Sequence, residues 1–594
     1  MTEIVSLDEL AQHVPGGIRI GIGGVHLARL PIALIEKVLN LGRKDFTYIS
    51  WGGGLPLELF LEAEALKKLV FCFSSLDILG LAPRFRQALE TNRVEVEEWT
   101  ALAMIQGLHA AFFNLPEVPF QIPVGSDLMN TGHFWKKSVS PFTGESIALA
   151  RRLDVDTVLF HAQRADRQGN VEIQGARGLD LSLLGASKKN LFTVEEIVEV
   201  GELGSAPKSY VLPRTFVAAI AHVPGGAYPT SCLPYYSTDY QRLVDYVRTE
   251  EQHKKSAATA EPRETPTISP RFVFSKERRQ FLSAAAQVPL QALTPARLER
   301  FGLKIEPAAP YTIDELLAVT LAHEYDNTSI CSVGSVSPLA MVSYLLAKRT
   351  HAPGLILISL NGGFIDVESH PMSLTLAEPL DWQTAKAFWG GDDTYHWYYQ
   401  TGRITHEVIT TAQVDLRGRT NNAWIESKGK RLRLPGQGGM ADVTNLHKNF
   451  TLYLTRHSPE RFVESVQFCT ASRGILSDDE RRRAGLQPGT VRLISNLGIF
   501  ELDHVLRKFR LVSIHPGVAP EEIRRQTGGE FLVADPLPIT PAPTTEELRL
   551  IRREIDPFGI RQLEFVPSKS RLETIERILN AEKALVEDIL PNAR

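Results

Sequence analysis

The feature of this sequence that most constrains its fold is a strand–loop–helix pattern that occurs twice. Near the N-terminus, an apolar strand pattern at residues 18–22 leads into glycines and then, after Pro31, into an apolar helix pattern. Residues 329–349 repeat this order: a short apolar strand, a loop with Gly334, a proline and an apolar helix. Apolar strands that alternate with amphipathic helices predict mostly parallel sheets covered by helices on both faces.

A second pair of segments indicates a duplication. Residues 155–173 and 409–425 each contain an apolar strand, an Ala-Gln pair, a turn with Asp and Gly, and another strand. The two Ala-Gln pairs are Ala162-Gln163 and Ala412-Gln413. Because both coincidences occur in the same order along the chain, we predict two related α/β domains in one polypeptide.

A change in composition separates the two halves. From 248 to 310 the sequence is charged, rich in Ala, Pro and Thr, and poor in sustained apolar periodicity, with a helix-compatible stretch at about 276–288. We therefore predict a first domain over residues 1–247, a polar linker over 248–310 that is partly helical or disordered, and a second domain over 311–594. Ligands bind α/β sheets at the C-terminal ends of strands, so we expect a cleft there, between the halves.

Charge and composition argue against several classes of function. The 65 basic and 69 acidic residues give a net charge of −4, which supplies no basic field for a nucleic-acid backbone. No apolar run reaches the length of a membrane span, and the N-terminal residues do not form a signal-peptide pattern. The four cysteines lie far apart and form no CxxC pair, so we expect buried thiols, a reducing cytoplasmic location and no metal site.

Two glycine-bearing segments are candidate ligand loops. Residues 21–24 lie between a strand and a helix, but they have neither the dinucleotide fingerprint nor the Lys-Ser/Thr of a P-loop. Main-chain N–H groups at Gly24 would suit an oxyanion, and a tight turn is the alternative interpretation. Residues 433–442 contain three glycines in four positions beside an apolar segment. Such a flexible backbone indicates that a ligand approaches closely.

These segments resemble class I coenzyme A transferases, most closely the glutaconate CoA-transferase type. The first half is similar to the α subunit over about residues 1–247, in motifs that include IGIGGVHLARLPIALI and VPGGAYPTSC. The second half is similar to the β subunit over about 311–594, in SVGSVSPLAMVSYLLAKR, RLPGQGGMADVTN and ELRLIRREIDP. The resemblance implies α and β halves fused in one chain. It also implies that coenzyme A enters as part of the substrate, with no permanently bound cofactor.

The sequence departs from this family at one position. Transferases of this class carry a β-half glutamate directly after a strand, and its carboxylate forms a glutamyl-CoA thioester with the acyl-CoA substrate. The corresponding segment here, residues 357–363, retains the strand, Asn361 and Gly362, but Leu360 stands at the nucleophile position. A leucine side chain cannot form an anhydride or a thioester.

One branch of the family likewise lacks this glutamate: the CoA-dependent hydrolases that open the last rings in steroid catabolism by cleaving a carbon–carbon bond β to a carbonyl. For that branch the resemblance implies a glutamate of the α half as the acid–base group. The matching residues here are 94–99, where Glu98 falls on the apolar side of a strand pattern, next to Trp99. Apolar surroundings raise a carboxyl pKa, so Glu98 is the candidate general base; a solvated acidic turn is the alternative.

Three functions stay open from the sequence. The first is hydrolytic, ring-opening cleavage of a β-keto or cyclic diketone acyl-CoA with Glu98 as general base. The second is a CoA transferase that uses another carboxylate, such as Asp366 or Glu368, and the third is acyl-CoA binding without catalysis. We expect a small-molecule acyl-CoA as partner and a homo-oligomer, with no nucleic acid or membrane. The predicted substrate- and CoA-binding residues lie in the glycine-bearing loops: Gly23, Gly24, Gly334, Ser335, Asn361, Gly362, Gly436, Gly438 and Gly439.

Overall fold

A computed structural model describes residues 2–121, 124–206, 208–257, 272–303, 310–334, 337–359 and 363–593. Within these ranges each half is built on a ten-stranded sheet. Four positions singled out in the sequence, Ser335, Leu360, Asn361 and Gly362, lie outside the described residues. Around Leu360, the predicted position of the missing nucleophile, the structure therefore describes the flanking residues Ser359 and Gly363.

The sheet of the first half is mostly parallel. Its eight parallel strands have the spatial order Glu3–Val5, Ala219–His222, Ser187–Val198, Val155–Asp166, Arg19–Ile22, Phe46–Gly52, Leu66–Phe73 and Glu95–Glu98. Two further strands pair antiparallel beside them: Val171–Gln174 and Ser209–Leu212. A separate antiparallel sheet contains Glu117–Phe120, Ser146–Arg151 and Trp135–Val139. The α-helices of this half are Leu7–Gln12, Ile32–Asn40, Gly54–Glu62, Pro83–Glu90, Ala101–Phe112 and Asp180–Ala186.

The sheet of the second half is mixed, with a parallel centre. Its central strands have the order Ile356–Ser359, Ile330–Val333, His406–Thr410, Asn449–Leu454 and Val491–Ser495. The outer strands are Ala387–Phe388 and Phe364–Ile365 on one side, and Gly498–Asp503, Lys508–Ile514 and Leu532–Val533 on the other. Smaller sheets contain Phe462–Val463, Gln413–Asp415, Arg419–Asn421 and Ala471–Ser472, and the hairpin Trp424–Ser427 with Lys430–Arg433. The α-helices are Ile313–Ala322, Pro338–Arg349, Ala377–Thr384, Gly391–Thr394, Met440–Leu446, Asp478–Arg483, Pro520–Gln526 and Thr545–Leu550.

The two halves also share the turn that the sequence repeat predicted. Asp166 and Asp415 each accept hydrogen bonds from the main-chain N–H groups two and four residues further along the chain, at 2.9–3.1 Å. The glycine three residues after each aspartate, Gly169 or Gly418, has a positive φ, 94° and 74° respectively. The prediction of two related, mostly parallel α/β domains is confirmed.

The region predicted as a linker is largely helical where the structure describes it. The helix Tyr240–Ala257 runs through the predicted boundary at residue 247, and two more helices follow at Lys276–Ala286 and Pro295–Phe301. The C-terminal helix Ser568–Ile589 packs against the first and the last of these helices, with an ion pair of Glu576 with Arg248 and another of Asp588 with Arg297. Residues 258–271 and 304–309 lie outside the described residues.

Buried side chains join the halves into one body. Each of the two clusters of buried hydrophobic residues contains residues from both halves. The four cysteines are buried free thiols, as predicted. Among the described residues, no helix combines the length and the apolar character that crossing a bilayer requires.

The repeated aspartate turn gives a stability prediction. Asp166→Ala removes the acceptor of two partly buried main-chain N–H groups, and Asp415→Ala removes the acceptor of three. Each variant is expected to lower the free energy of unfolding by about 1–3 kcal/mol. Thermal unfolding of the two variants, compared with the exposed Asp479→Ala as control, measures this. Melting temperatures equal to that of the control would contradict a structural role for the turn.

Candidate active site

A cavity of about 180 Å³ lies between the two halves, at the C-terminal ends of parallel strands, as expected. One of these strands ends at Ser359, which lines the cavity and directly precedes Leu360. The predicted position of the missing nucleophile is thus the next residue along the chain after a cavity-lining residue. Other lining residues are His26, Asp77, Ile78, Thr238 and Tyr240 from the first half, and Gly334, Ser337, Met341, Met372, Leu374, Glu378, Asp381 and Ile560 from the second.

Glu378 is an acidic group of this cavity. It lies in the first turn of the helix Ala377–Thr384, and Ser231 of the first half donates its hydroxyl to Glu378 Oε2. Burial raises the pKa of Glu378 to about 7, although the Ser231 hydroxyl and the positive charge of Arg29 act in the opposite direction. Near neutral pH this carboxyl therefore exists in both protonation states.

Asp77 is the second acidic group with a raised pKa in the cavity, and it comes from the other half. Its φ is +57°, an uncommon conformation for a non-glycine residue that is often found at functional sites. Burial raises the pKa of Asp77 to about 7, against the effect of a hydrogen bond from the N–H of Ile78. Burial raises the pKa of Tyr240, and the negative charges of Asp77, Glu378 and Glu582 add to this effect, so both cavity carboxyls lie within electrostatic range of one phenol.

Neighbouring groups hold the cavity wall in position. Asp381 accepts a hydrogen bond from Ser359 Oγ and contacts His370 Nε2 at 2.8 Å, which fixes the end of the strand that leads to Leu360. His26 also lines the cavity, and burial lowers its pKa to about 4, so that its imidazole is neutral at neutral pH. The acid–base groups available near pH 7 are therefore carboxyls rather than this histidine.

Glu98 lies at the contact between the halves and is not among the cavity-lining residues. Its Oε2 accepts a hydrogen bond of 2.7 Å from Arg433 Nη2, and its Oε1 accepts one of 3.1 Å from the main-chain N–H of Gln437. The Glu98 and Arg433 side chains are 10% and 11% exposed. The predicted apolar surroundings are thus replaced by a guanidinium and a main-chain donor. Neighbouring Glu97 points elsewhere, to Lys68 and Arg151.

The glycine-rich segment 433–442, called the joint loop below, approaches the first half closely. Gly436 has a φ of +108°, and a Cβ atom on it would lie 2.6 Å from the carbonyl oxygen of Cys72. Gly438 donates its N–H to that same oxygen at 3.1 Å, and Gly439 precedes the helix Met440–Leu446. Asp442 accepts a hydrogen bond of 2.9 Å from the N–H of Leu102. The sequence predicted that a ligand approaches this loop closely; in the structure, the backbone of the first half lies against it.

The other predicted glycines differ in their relation to the cavity. Gly23 donates its N–H to the carbonyl of Leu159 at 2.9 Å, and Gly24 donates its N–H to Asp180 Oδ1 at 2.7 Å. Both N–H groups therefore donate hydrogen bonds within the protein. The N–H of Gly24, which was predicted to bind an oxyanion, is thus already paired with Asp180. Gly334, in contrast, lines the cavity.

The fold also brings together three possible metal ligands that the sequence spacing did not reveal. Ligand atoms of His161, Glu195 and Cys232 lie within 4.8 Å of one another. Glu195 accepts hydrogen bonds from Tyr236 at 2.6 Å and from the N–H of Gly225, and it contacts His161 Nε2 at 2.8 Å. In this structure the Glu195 carboxylate is thus committed to an internal hydrogen-bond network.

Asp77 and Glu378 were not predicted from the sequence. Glu378 is the one ionisable residue between Met372 and Leu380, and an isolated acid in this otherwise uncharged stretch was the available signal. Asp77 gives no comparable signal, because its conformation and burial arise from the folded chain. Ser231, which has no partner histidine at a recognisable spacing in the sequence, is instead the hydroxyl donor to Glu378.

Comparison with known proteins identifies the family. Residues 4–222 match the family model described as Coenzyme A transferase. The chain is similar to both subunits of 3-oxoadipate CoA-transferase from Pseudomonas knackmussii. One of them is 32% identical over 40% of this chain and 85% of its own length, and the other is 30% identical over 41% of this chain and 92% of its own length. The chain belongs to the coenzyme A transferase family, and the predicted resemblance is confirmed.

Two further comparisons extend this result. The IpdA subunit of the cholesterol ring-cleaving hydrolase from Mycobacterium tuberculosis is 29% identical over 40% of this chain and 84% of its own length. The acyl-CoA transferase YdiF from Escherichia coli O157:H7 has the same fold, with a TM-score of 0.64 over 91% of this chain and 95% of that chain, at 14% identity. This protein is thus an enzyme of a family that includes both transferases and a hydrolase subunit.

The ion pair between the halves gives a second stability prediction. Glu98→Ala leaves the Arg433 guanidinium without its carboxylate in a site that is about nine-tenths buried, so we expect a loss of about 3–5 kcal/mol in unfolding free energy. Denaturant unfolding of Glu98→Ala, Arg433→Ala and the double variant measures the coupling between the two residues. Glu95→Ala, whose side chain is 59% exposed, is the control. Additive effects of the single substitutions would contradict a direct coupling.

Proposed function

We propose that this enzyme hydrolyses a carbon–carbon bond of a β-keto acyl-CoA in the cavity between its halves, by direct addition of water. The observation that carries this proposal is Leu360, which stands where the sequence predicts the family's nucleophilic glutamate and follows Ser359, a residue of a cavity that carboxyls line. A reaction that needs no glutamyl-CoA intermediate suits a site with leucine at that position. Its products are a carboxylic acid and a shorter or ring-opened acyl-CoA.

The composition of the cavity supports this class of substrate. Aliphatic and thioether side chains line it beside the carboxyls, which suits an apolar acyl group that carries reacting carbonyls. The apolar part of the lining includes Ile78, Met341, Met372, Leu374 and Ile560. The mycobacterial relative is named as a cholesterol ring-cleaving hydrolase, and hydrolytic ring cleavage belongs to the same reaction class.

A CoA transferase is the second candidate function. The relatives from Pseudomonas are named 3-oxoadipate CoA-transferase subunits, and the cavity contains carboxyls that are chemically able to accept an acyl group. The acids nearest to Leu360 in sequence, Asp366 and Glu368, both contact Lys348, at 3.1 and 3.6 Å. An ammonium group at this distance lowers the nucleophilicity of a carboxylate, which favours hydrolysis over relocation of the nucleophile.

The prediction that Glu98 is the general base is tested by a single variant, against the role of joining the halves. Glu98→Gln keeps an acceptor for the N–H of Gln437 but removes the charge that Arg433 neutralises. If Glu98 serves only to join the halves, Glu98→Gln lowers the free energy of unfolding but retains kcat per folded molecule. If Glu98 is the base, we expect kcat to fall by about 10²–10⁴ with a pH profile that loses its ascending limb. Thermal unfolding and kcat measured on the same preparation distinguish the two roles.

Covalent trapping tests the proposed reaction itself. We expect that wild-type protein incubated with several acyl-CoAs, reduced with borohydride and analysed by peptide mass spectrometry yields no modified carboxyl. Leu360→Glu restores the residue type of the family's nucleophile and serves as the positive control for the trap. A reduced adduct on Asp366, Glu368 or Glu378 of the wild type would establish a transferase mechanism in place of direct hydrolysis.

A further inference from the structure

We propose that Glu378 and Asp77, one from each half, are the acid–base pair of the cavity: Glu378 takes a proton from the attacking water and Asp77 delivers a proton to the leaving carbon. This inference rests on the proposed hydrolytic function and names the groups that perform it. The two carboxyls lie in one cavity, beside the strand end at Ser359. Neither residue was a candidate from the sequence.

The geometry places both carboxyls where a bound acyl group has to lie. Glu378 lies in the first turn of the helix that follows the cavity-lining residues 372–375, and Asp77 begins a short 3₁₀ helix, Asp77–Leu79, after the strand Leu66–Phe73. Both side chains are partly exposed, and both line the cavity. Tyr240, whose pKa is raised by both carboxylates, lies in the same lining. Two carboxyls that line one cavity, one from each half of the protein, provide the two groups that a reaction with two separate proton transfers requires.

The surroundings of Glu378 favour its ionised form. Ser231 donates a hydroxyl to its carboxylate, and the guanidinium of Arg29 attracts its negative charge. Asp381, on the same helix, repels it. Cys232 also lies within electrostatic range, and burial raises the pKa of its thiol, which keeps the thiol neutral. Glu378 is thus the carboxyl of the pair that is equipped to act as a base.

The surroundings of Asp77 favour its protonated form. The hydrogen bond that stabilises its carboxylate comes from the N–H of the adjacent Ile78, and within the described part of the chain no cation contributes to its pKa. Tyr240 and the neutral His26 are the titratable groups that face it across the cavity. A desolvated carboxyl without a cationic partner retains its proton and is able to donate it.

The proposed step conserves atoms and charge. Water forms a carbon–oxygen bond to the β-carbonyl carbon while its proton passes to the Glu378 carboxylate. The tetrahedral alkoxide then collapses and breaks the bond to the α-carbon, which leaves as the enolate of the CoA thioester. Asp77 donates its proton to that carbon, and the free carboxylic acid departs. Afterwards Glu378 is protonated and Asp77 is ionised, and exchange with solvent restores both groups.

Two isosteric variants test this assignment with simple probes. Acetoacetyl-CoA, the smallest β-keto acyl-CoA, reports cleavage to acetate and acetyl-CoA, and acetyl-CoA in D₂O reports exchange at the α-carbon. Glu378→Gln is expected to lower cleavage by about 10²–10⁴ and to leave the exchange within about twofold. Asp77→Asn is expected to lower both activities by about 10²–10⁴. Asparagine tolerates positive φ, so this substitution does not add backbone strain.

The pH dependence follows from the two roles. Cleavage requires ionised Glu378 and protonated Asp77, so kcat/KM rises with pH as Glu378 ionises and falls as Asp77 ionises, with a maximum near pH 7. Residual cleavage by Glu378→Gln is expected to lose the ascending limb, and residual cleavage by Asp77→Asn the descending limb. If either carboxyl were only structural, its substitution would lower the amount of folded protein and leave both limbs of the pH profile in place.

Matched controls come from the chain itself. Asp45 is an exposed aspartate with a φ of +64°, and Glu58 is a glutamate whose pKa is also raised to about 7 by burial, away from the cavity. Asp45→Asn and Glu58→Gln are expected to retain both activities. Cleavage retained in Glu378→Gln, or exchange absent from the wild type or retained in Asp77→Asn, would overturn the pair. CoA transfer without cleavage, together with exchange that depends on Asp77, would overturn the hydrolytic function and leave the acid role of Asp77 standing.

Discussion

The contact between the joint loop and the first half is the interaction on which the rest of the structure depends. Arg433 and Gln437 bind Glu98 at the end of the edge strand, and Asp442 accepts the N–H of Leu102 at the start of a helix. Because the cavity takes its walls from both halves, its shape is set by how the halves meet. A charged pair and a helix-terminus hydrogen bond are directional, so they fix this arrangement more narrowly than apolar packing does.

The same physical contrast separates the three acidic residues that matter most. Glu98 is removed from water but has a guanidinium at 2.7 Å. Glu378 and Asp77 are partly exposed at the cavity, yet for them the effect of burial outweighs the stabilising contacts, and their pKa values rise to about 7. Desolvation with incomplete compensation is a common way for a protein to obtain a proton-transfer group near neutral pH. Glu98 is therefore suited to joining the halves, whereas Glu378 and Asp77 are suited to proton transfer.

Local patterns allowed much of the fold to be predicted, whereas the site depended on distant contacts. Alternating strand and helix patterns predicted the parallel sheets, and the repeated Asp-x-x-Gly turn helped to predict the duplication. The three glycines of the joint loop predicted that another group approaches this backbone closely. They did not predict which group, since Cys72 lies more than 360 residues earlier in the chain. The partner of Glu378, Ser231, is 147 residues away from it. Composition likewise suggested a linker at 248, where a helix in fact continues and is covered by the C-terminal helix.

The sharing of both hydrophobic clusters between the halves has a consequence for how this enzyme responds to dilution. Where α- and β-type parts are separate polypeptides, the cavity between them exists only in the assembled fraction, which depends on the concentration of each. Here a covalent connection turns that assembly into an intramolecular event at a fixed effective concentration. The two walls of the cavity are therefore always made in equal numbers, and their meeting is a folding step rather than a binding equilibrium.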